Sequence, residues 1–282
     1  PPRSTLSSSS AASDVYKRQG MGAAVIALQA CDPEAVVEEI LTDLTEADAA
    51  ALKSKTSQTF YGPAQPVGNG VARAWIMQEK DGTPLEVGVT LSEKALLNLP
   101  GHMAEFELDL PHQADSDFYT HATVDWNPAG HEPPGTYDLP HFDIHFYIIS
   151  KEDRMAIGPG DPAFDIEPAP LFVPPSYLKT PGGIPQMGAH WIDLLAPEFT
   201  GGIFTRTFIW GSYDGEFIFW EPMVTRDYLL TRPNEEIILR QPAAYQRDGW
   251  YATKYRVSYS ERPGEYTVAL SGLVYHAGTP LP

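Results

Sequence analysis

The chain has 282 residues, with 37 Asp and Glu against 19 Lys and Arg, giving a formal charge of −18. A surface this acidic repels phosphate backbones and anionic headgroups, which excludes nucleic acid and direct headgroup binding as partners. With 27 Pro, 23 Gly and 11% aromatics, the composition points to many strands joined by tight turns rather than to a helical bundle.

Residues 1–19, ending Ser-Asp-Val-Tyr-Lys-Arg-Gln19, show neither apolar periodicity nor helix-cap logic and read as a non-native, adapter-like segment. Residues 20–31 carry the apolar run Met21-Gly-Ala-Ala-Val-Ile-Ala-Leu-Gln-Ala-Cys31 and turn acidic at Asp32, as the end of a truncated export signal does. The run is shorter than the about 20 apolar residues that a spanning helix needs. Leu28-Gln-Ala-Cys31 resembles the lipobox of bacterial lipoproteins, although Gln29 is unusual at its place. Cys31, the single cysteine, is the expected lipidation site; an ordinary signal with an incidental cysteine is the alternative. The expectation is an extracytoplasmic protein, periplasmic or at the cell surface, that meets the membrane only through a lipid anchor at Cys31.

Residues 32–55 read as a helical arm. Val36, Val37, Ile40, Leu41 and Leu44 recur at helical spacing, and Thr45 with Asp48 can cap a second helix through Leu52. Such an arm suits the neighbourhood of an anchor or the packing of a partner subunit. Residues 56–150 form a first β half. The runs 72–78 and 85–91 flank the turn sequence Lys80-Asp-Gly-Thr-Pro84, and 92–97 suit a short helical turn. In 104–110, Phe106, Leu108 and Leu110 alternate with acidic residues, and 121–126 and 141–149 are further strands.

Residues 151–188 are a Pro/Gly-rich connection, broken at Gly158-Pro-Gly-Asp-Pro162, Pro168-Ala-Pro170, Pro174-Pro175 and Pro181-Gly-Gly-Ile-Pro185. It links two β halves or lies as a long loop over a site. Residues 189–282 form a second β half with two hairpins: 204–210 with 216–220, and 250–260 with 265–276. Between them Thr225-Arg-Asp-Tyr-Leu-Leu230 suits a capped helical turn. The expected fold is mainly β, an antiparallel barrel or sandwich, with two related β halves as one arrangement and a short N-terminal helical arm.

The chemically loaded segment is His141-Phe-Asp-Ile-His-Phe146. Strand alternation puts His141, Asp143 and His145 on one face and Phe142, Ile144 and Phe146 on the other. At about 3.3 Å per residue, His141 and His145 lie about 13 Å apart, too far to share one ion. Asp143 and one neighbouring histidine, about 6.6 Å apart, can converge. Further ligands must come from elsewhere, and His190 and Glu221 suit: the first follows the Pro/Gly-rich connection, and the second ends the expected strand 217–221 on the Phe217 and Phe219 face. Asp143, His145, His190, Glu221 and His141 are thus the candidate ligands of a divalent transition metal, zinc, iron or manganese. Two other readings stand beside this one: a hydrogen-bonded polar network around Asp143, and a pH-sensitive interface. His131-Glu132, before Pro-Pro, suits a loop contact, and His102, His112, His121 and His276 are scattered. There is no nucleophile-elbow serine, phosphate-cradling glycine loop or cysteine pair for zinc.

Three segments, Phe60-Tyr-Gly-Pro-Ala-Gln-Pro-Val-Gly-Asn-Gly-Val-Ala-Arg-Ala-Trp75, His131 to Tyr147, and Phe219-Trp-Glu-Pro-Met-Val-Thr-Arg226, carry a family resemblance. Over about Thr56 to His276 the chain resembles a family of exported bacterial proteins grouped as a domain of unknown function. The resemblance implies a shared fold and an extracytoplasmic setting, and no reaction. Three functional expectations follow. The first is an exported metal-binding protein, enzymatic or not. The second is a non-catalytic, self-assembling envelope protein, a homo-oligomer in which the His/Asp cluster is structural. The third, a cupin-like metalloenzyme, ranks last, because cupin-like barrels place histidines two apart and here they are four apart. The sequence leaves the identity of any small-molecule ligand open.

Overall fold

A computed structural model describes residues 57–113 and 118–281. The adapter-like segment, the lipobox with Cys31, and the helical arm of 32–55 lie outside the described residues. The described chain is mainly β and forms two seven-stranded antiparallel sheets. The first runs β1 (Ser57–Tyr61), β3 (Gly70–Glu79), β4 (Pro84–Ser92), β14 (Glu265–His276), β13 (Gly249–Ser260) and β12 (Asn234–Ile238), with β2 (Gln65–Val67) also on β3. The second runs β5 (Ala104–Asp109), β6 (His121–Asn127), β7 (His141–Tyr147), β11 (Glu216–Thr225), β10 (Arg206–Tyr213), β9 (Ala189–Asp193) and β8 (Tyr177–Lys179). Each has two open edges, so the architecture is sandwich-like and not a closed barrel. Each sheet draws strands from both 56–150 and 189–282.

The apolar sides of the strands meet in one core. Ala74 and Ile76 of β3, Val87 and Val89 of β4, and Val268 and Leu270 of β14 pack in a single cluster with Val124, Phe142, Ile144, Phe146 and Trp220 of the second sheet. Burying side chains of this size contributes about 1.5–3 kcal/mol each. The expected hairpins are present: Asp81 Oδ1 accepts from Thr83 N at 2.9 Å to close the β3–β4 turn, and β13 pairs with β14 from Gly249↔His276 to Ser260↔Glu265. Two short helices follow strands, α1 (Lys151–Ala156) and α2 (Arg226–Leu230). Ser150 caps the first by accepting from Asp153 N, and Thr225 caps the second by accepting from Tyr228 N.

The second sheet departs from an ordinary sandwich layer. All seven residues of β6 and all seven of β7 are buried, so its outer face is covered as well. Two small apolar clusters cover it. One gathers Tyr147, Ile157, Phe164, Ile218 and Phe219, and the other Tyr137, Phe204, Ile209 and Met223. Their members include residues of the connection 151–188 and of the β6–β7 and β9–β10 loops, which therefore lie over the sheet. The connection also supplies β8, which the sequence pattern missed: Tyr177, Leu178 and Lys179 pair with Asp193, Ile192 and Trp191.

The acidic residues of β5 have cationic partners rather than water alone. Lys151 Nζ reaches Glu107 at 2.7 Å and Asp109 at 2.5 Å, and Arg154 Nη2 reaches Glu105 at 2.5 Å. Arg154 is fully buried; its Nε donates to Gln186 O at 2.9 Å, and its guanidinium lies 4.9 Å from the Tyr147 ring centroid. One side chain thus ties β5, α1 and the end of the connection over Tyr147. Arg154→Met, which keeps most of the volume and removes the charge, is expected to lower unfolding free energy by about 2–3 kcal/mol in urea titration. A change below about 0.5 kcal/mol would show that this tie contributes nothing to stability.

Candidate metal centre

Between the two outer apolar clusters lies a polar patch built by four strands and one loop. β7 gives His141, Asp143 and His145 to the outer face, and its partner β6 gives Thr123, Asp125 and Asn127, which stand opposite His145, Asp143 and His141. β11 pairs with β7 through Phe219↔Tyr147 and Met223↔Asp143, and that register sets Glu221 across from His145. His190 of β9 stands opposite Gly211 of β10. Gly211 has no room for a side chain: a Cβ there would lie 1.9 Å from the Phe219 ring. That ring in turn meets His145 and His190 at centroid distances of 5.1 and 5.4 Å.

Glu221 is mid-strand, since β11 continues to Thr225, and not at a strand end as its sequence suggested. Nor does it share a face with Phe217. A bulge opposite Gly211/Ser212 shifts the register, so Phe217 joins the inter-sheet core while Phe219 faces outward beside Glu221.

The five expected ligands divide into two groups, each close enough to hold a metal ion. His145, His190 and Glu221 present ligand atoms that all lie within 4.8 Å of one another, and so do His131, His141 and Asp143. His141 and His145 fall in different groups, as strand spacing requires. Asp143, expected beside His145 and His190, joins instead the group of His141 and the loop residue His131. The sequence marks His131 only as a loop contact and does not single out Asp125. The signal for Asp125 was present, because His121-Ala-Thr-Val-Asp-Trp-Asn127 alternates polar and apolar residues as β7 does.

The imidazoles are oriented by what holds their Nδ1 atoms. His141 Nδ1 lies 2.7 Å from Leu139 O, and His131 Nδ1 lies 2.8 Å from Glu132 O. His145 Nδ1 lies 2.9 Å from Asp125 Oδ2. A carbonyl or carboxylate oxygen only accepts, so each of these Nδ1 atoms carries a proton and donates, and Nε2 is a lone pair in the neutral ring or a second donor in the charged one. The Nε2 atoms face carboxylates. His141 Nε2 is 3.0 Å from Asp143 Oδ1, and His131 Nε2 is 3.3 Å from Asp143 Oδ2. His145 Nε2 is 3.6 Å from Glu221 Oε1, and His190 Nε2 is 3.4 Å from Glu221 Oε2. His141 Nε2, Asp143 Oδ1, His145 Nε2 and Glu221 Oε2 are buried without a hydrogen-bond partner.

Among the described residues, the ion-pair partners of Asp125, Asp143 and Glu221 are all histidines. Asn127 Nδ2 donates to Asp143 Oδ2 at 2.6 Å, and Thr123 Oγ1 donates to Asp125 Oδ2 at 3.3 Å. Burial opposes charge on His145, but the Glu221 charge and the Asp125 hydrogen bond outweigh it and carry the ring up to about 9. Burial likewise opposes charge on His131, and its bond to Asp143 reverses this, to about 9. His190 has no such compensation: burial and the neighbouring His145 charge push it down to about 3. Burial raises Glu221 and Asp125, whereas for Asp143 the neighbouring His141 ring and the bond from His131 overcome burial and hold the carboxyl low. The patch as a whole concentrates carboxylates that only shared protons, or a bound cation, can neutralise.

Residues 79–126 match the family model described as TTHB210-like, Hypothetical protein TTHB210. No curated protein and no solved structure matches the chain. The matched stretch lies inside the Thr56–His276 span but between the first two segments that carried the resemblance. It contains β4, β5 and β6 through Trp126, and it attaches no activity to them.

Of the remaining histidines, His276 stacks on Tyr245 at 4.1 Å, and His121 stacks on Tyr147 at 4.7 Å with Nδ1 2.9 Å from Thr120 Oγ1. His121 Nε2 is buried without a hydrogen-bond partner. Burial, then the nearby Arg154 guanidinium, lowers His121 from 6.5 to about 4. Because the folded value lies below the unfolded one, the unfolded chain takes up this proton first, and stability falls as pH drops through that window. His121→Gln is therefore expected to flatten the stability profile between pH 7 and pH 4 by about 2 kcal/mol, read from urea titrations at each pH. An unchanged slope would mean that His121 is not held neutral by the fold.

Proposed function

We propose that this protein binds a divalent transition metal ion through His145, His190 and Glu221. The observation that carries the reading is the pair of bare atoms at that place. His145 Nε2 and Glu221 Oε2 are buried without hydrogen-bond partners, while Asp125 occupies the other nitrogen of His145. A carboxylate on the far nitrogen of a ligating histidine is the usual outer support of a metal site, since it fixes the tautomer and strengthens the donor. A purely structural polar network accounts for the Asp125 and Asn127 hydrogen bonds but leaves the inner atoms unpaired, at about 1–3 kcal/mol each.

Two imidazoles and one carboxylate suit zinc, iron or manganese. Three protein ligands leave a coordination position for water or a small molecule. Of the three, His190 is the most exposed, with 19% of its side chain accessible. A cavity of about 450 Å³ lined by Gln241, Tyr245, Thr253 and His276 shares no residue with this site and plays no part in the reading.

Protein produced in medium supplemented with zinc, iron and manganese is expected to retain metal through dialysis, measured by plasma mass spectrometry. His190→Ala and Glu221→Gln are each expected to lower the retained amount by one equivalent per chain. Metal-free wild-type protein under all three supplements would overturn the proposal.

We propose further that Cys31 is lipidated and holds the protein outside the cytoplasm; the support is the sequence Leu28-Gln-Ala-Cys31 after an apolar run. With a basic segment fused ahead of Met21, the protein is expected to fractionate with membranes and to incorporate labelled fatty acid. Cys31→Ala is expected to abolish both, and unchanged labelling of that variant would refute the assignment.

A further inference from the structure

The outer face of β7 carries a second set of donors that the ion just described does not use. His131, His141 and Asp143 present three ligand atoms within 4.8 Å of one another. His141 is wholly buried, and its Nε2 and Asp143 Oδ1 lack hydrogen-bond partners although they stand 3.0 Å apart. That separation has a chemical meaning. Leu139 O takes the Nδ1 proton of His141, and Glu132 O takes that of His131. His131 Nε2 is hydrogen-bonded to Asp143 Oδ2 at 3.3 Å, whereas His141 Nε2 and Asp143 Oδ1 face each other without a partner. Either a proton or a cation must stand between them. Asn127, donating to Asp143 Oδ2 at 2.6 Å, holds the carboxylate in that orientation.

We propose that His131, His141 and Asp143 bind a second divalent ion, so that the outer face of the sheet carries a two-ion centre. This deepens the metal reading given above and rests on the same face of the sheet, although its donors are distinct. Asp143 and His145 are two residues apart on one strand, so the ions stand roughly one strand repeat apart, about 6–7 Å. Three carboxylates, Asp125, Asp143 and Glu221, are buried there with histidines as their ion-pair partners, and each of the two donor groups holds one of the latter two. The centre is also open on one side, because His131 has a side chain 32% exposed. Ions about 6–7 Å apart are too far separated to share one water oxygen, so an oxyanion that reaches each ion through a different oxygen is the ligand that suits them.

The experiment compares wild type, His131→Ala, Asp143→Asn and His190→Ala after loading with Mn²⁺ and dialysis. Bound metal is read by plasma mass spectrometry, and spin coupling by electron paramagnetic resonance. Two equivalents and a dipolar-coupled signal are expected in wild type. One equivalent and an uncoupled signal are expected in each variant. His131 is a half-exposed loop residue and Asp143→Asn is isosteric, so at least one of that pair tests the site in a folded protein, checked by circular dichroism. One equivalent in wild type, kept by His131→Ala and Asp143→Asn but lost in His190→Ala, would overturn the second ion and leave the first standing. One equivalent lost with His131→Ala and kept by His190→Ala would retain the site proposed here and overturn the other. No metal in wild type would overturn both.

Discussion

Strand β7 is enclosed on both faces, and most of the molecule's unusual chemistry follows from that enclosure. A strand with one dry side can show the other to water, where histidine and aspartate need no special partner. Here Phe142, Ile144 and Phe146 enter the inter-sheet core while His141, Asp143 and His145 are shut beneath the loops that cover the second sheet. Carboxylates in such a place need compensating charge, and every polar atom needs a partner. The neighbouring strands respond with matching residues: Thr123, Asp125 and Asn127 from β6, and Glu221 from β11.

These partners divide into two layers. An outer layer of oxygen atoms, from Leu139, Glu132 and Asp125, takes the Nδ1 protons and sets the ring planes. An inner layer of ring nitrogens and carboxylate oxygens faces itself. Hydrogen bonds satisfy the outer layer, while in the inner one His141 Nε2, Asp143 Oδ1, His145 Nε2 and Glu221 Oε2 have no partner. That asymmetry separates a cluster merely packed in the interior from one shaped around something positively charged.

Much of the fold was legible because period-two alternation and turn chemistry are local. The 70–79/84–92 and 249–260/265–276 hairpins and the Thr225 cap needed only their own residues. The short edge strands β1, β2, β8 and β12 were not legible, since three to five residues carry little pattern and are specified by the strand they join. The site was half legible. Spacing alone separated His141 from His145, and residue chemistry picked out His190 and Glu221. It could not foresee that Asp143 would turn toward His131, because that depends on the path of a Pro-rich loop. Nor could it foresee the bulge that parts Phe217 from Phe219, which is a matter of register between β10 and β11.

That loop gives the two donor groups different mechanical characters. His145, His190 and Glu221 all stand on strands, so the backbone ladder fixes their spacing before any ion arrives. The other group takes two members from β7 and the third, His131, from a segment tied down chiefly by its bridge to Tyr137. Its third donor is placed by a loop rather than by a strand ladder, so any freedom the loop loses on binding is subtracted from the affinity. The same face therefore combines a preorganised cradle with a clasp. Occupancy of the clasp would be reported by the stiffness of residues 128–140, linking what is bound to how the surface above it moves.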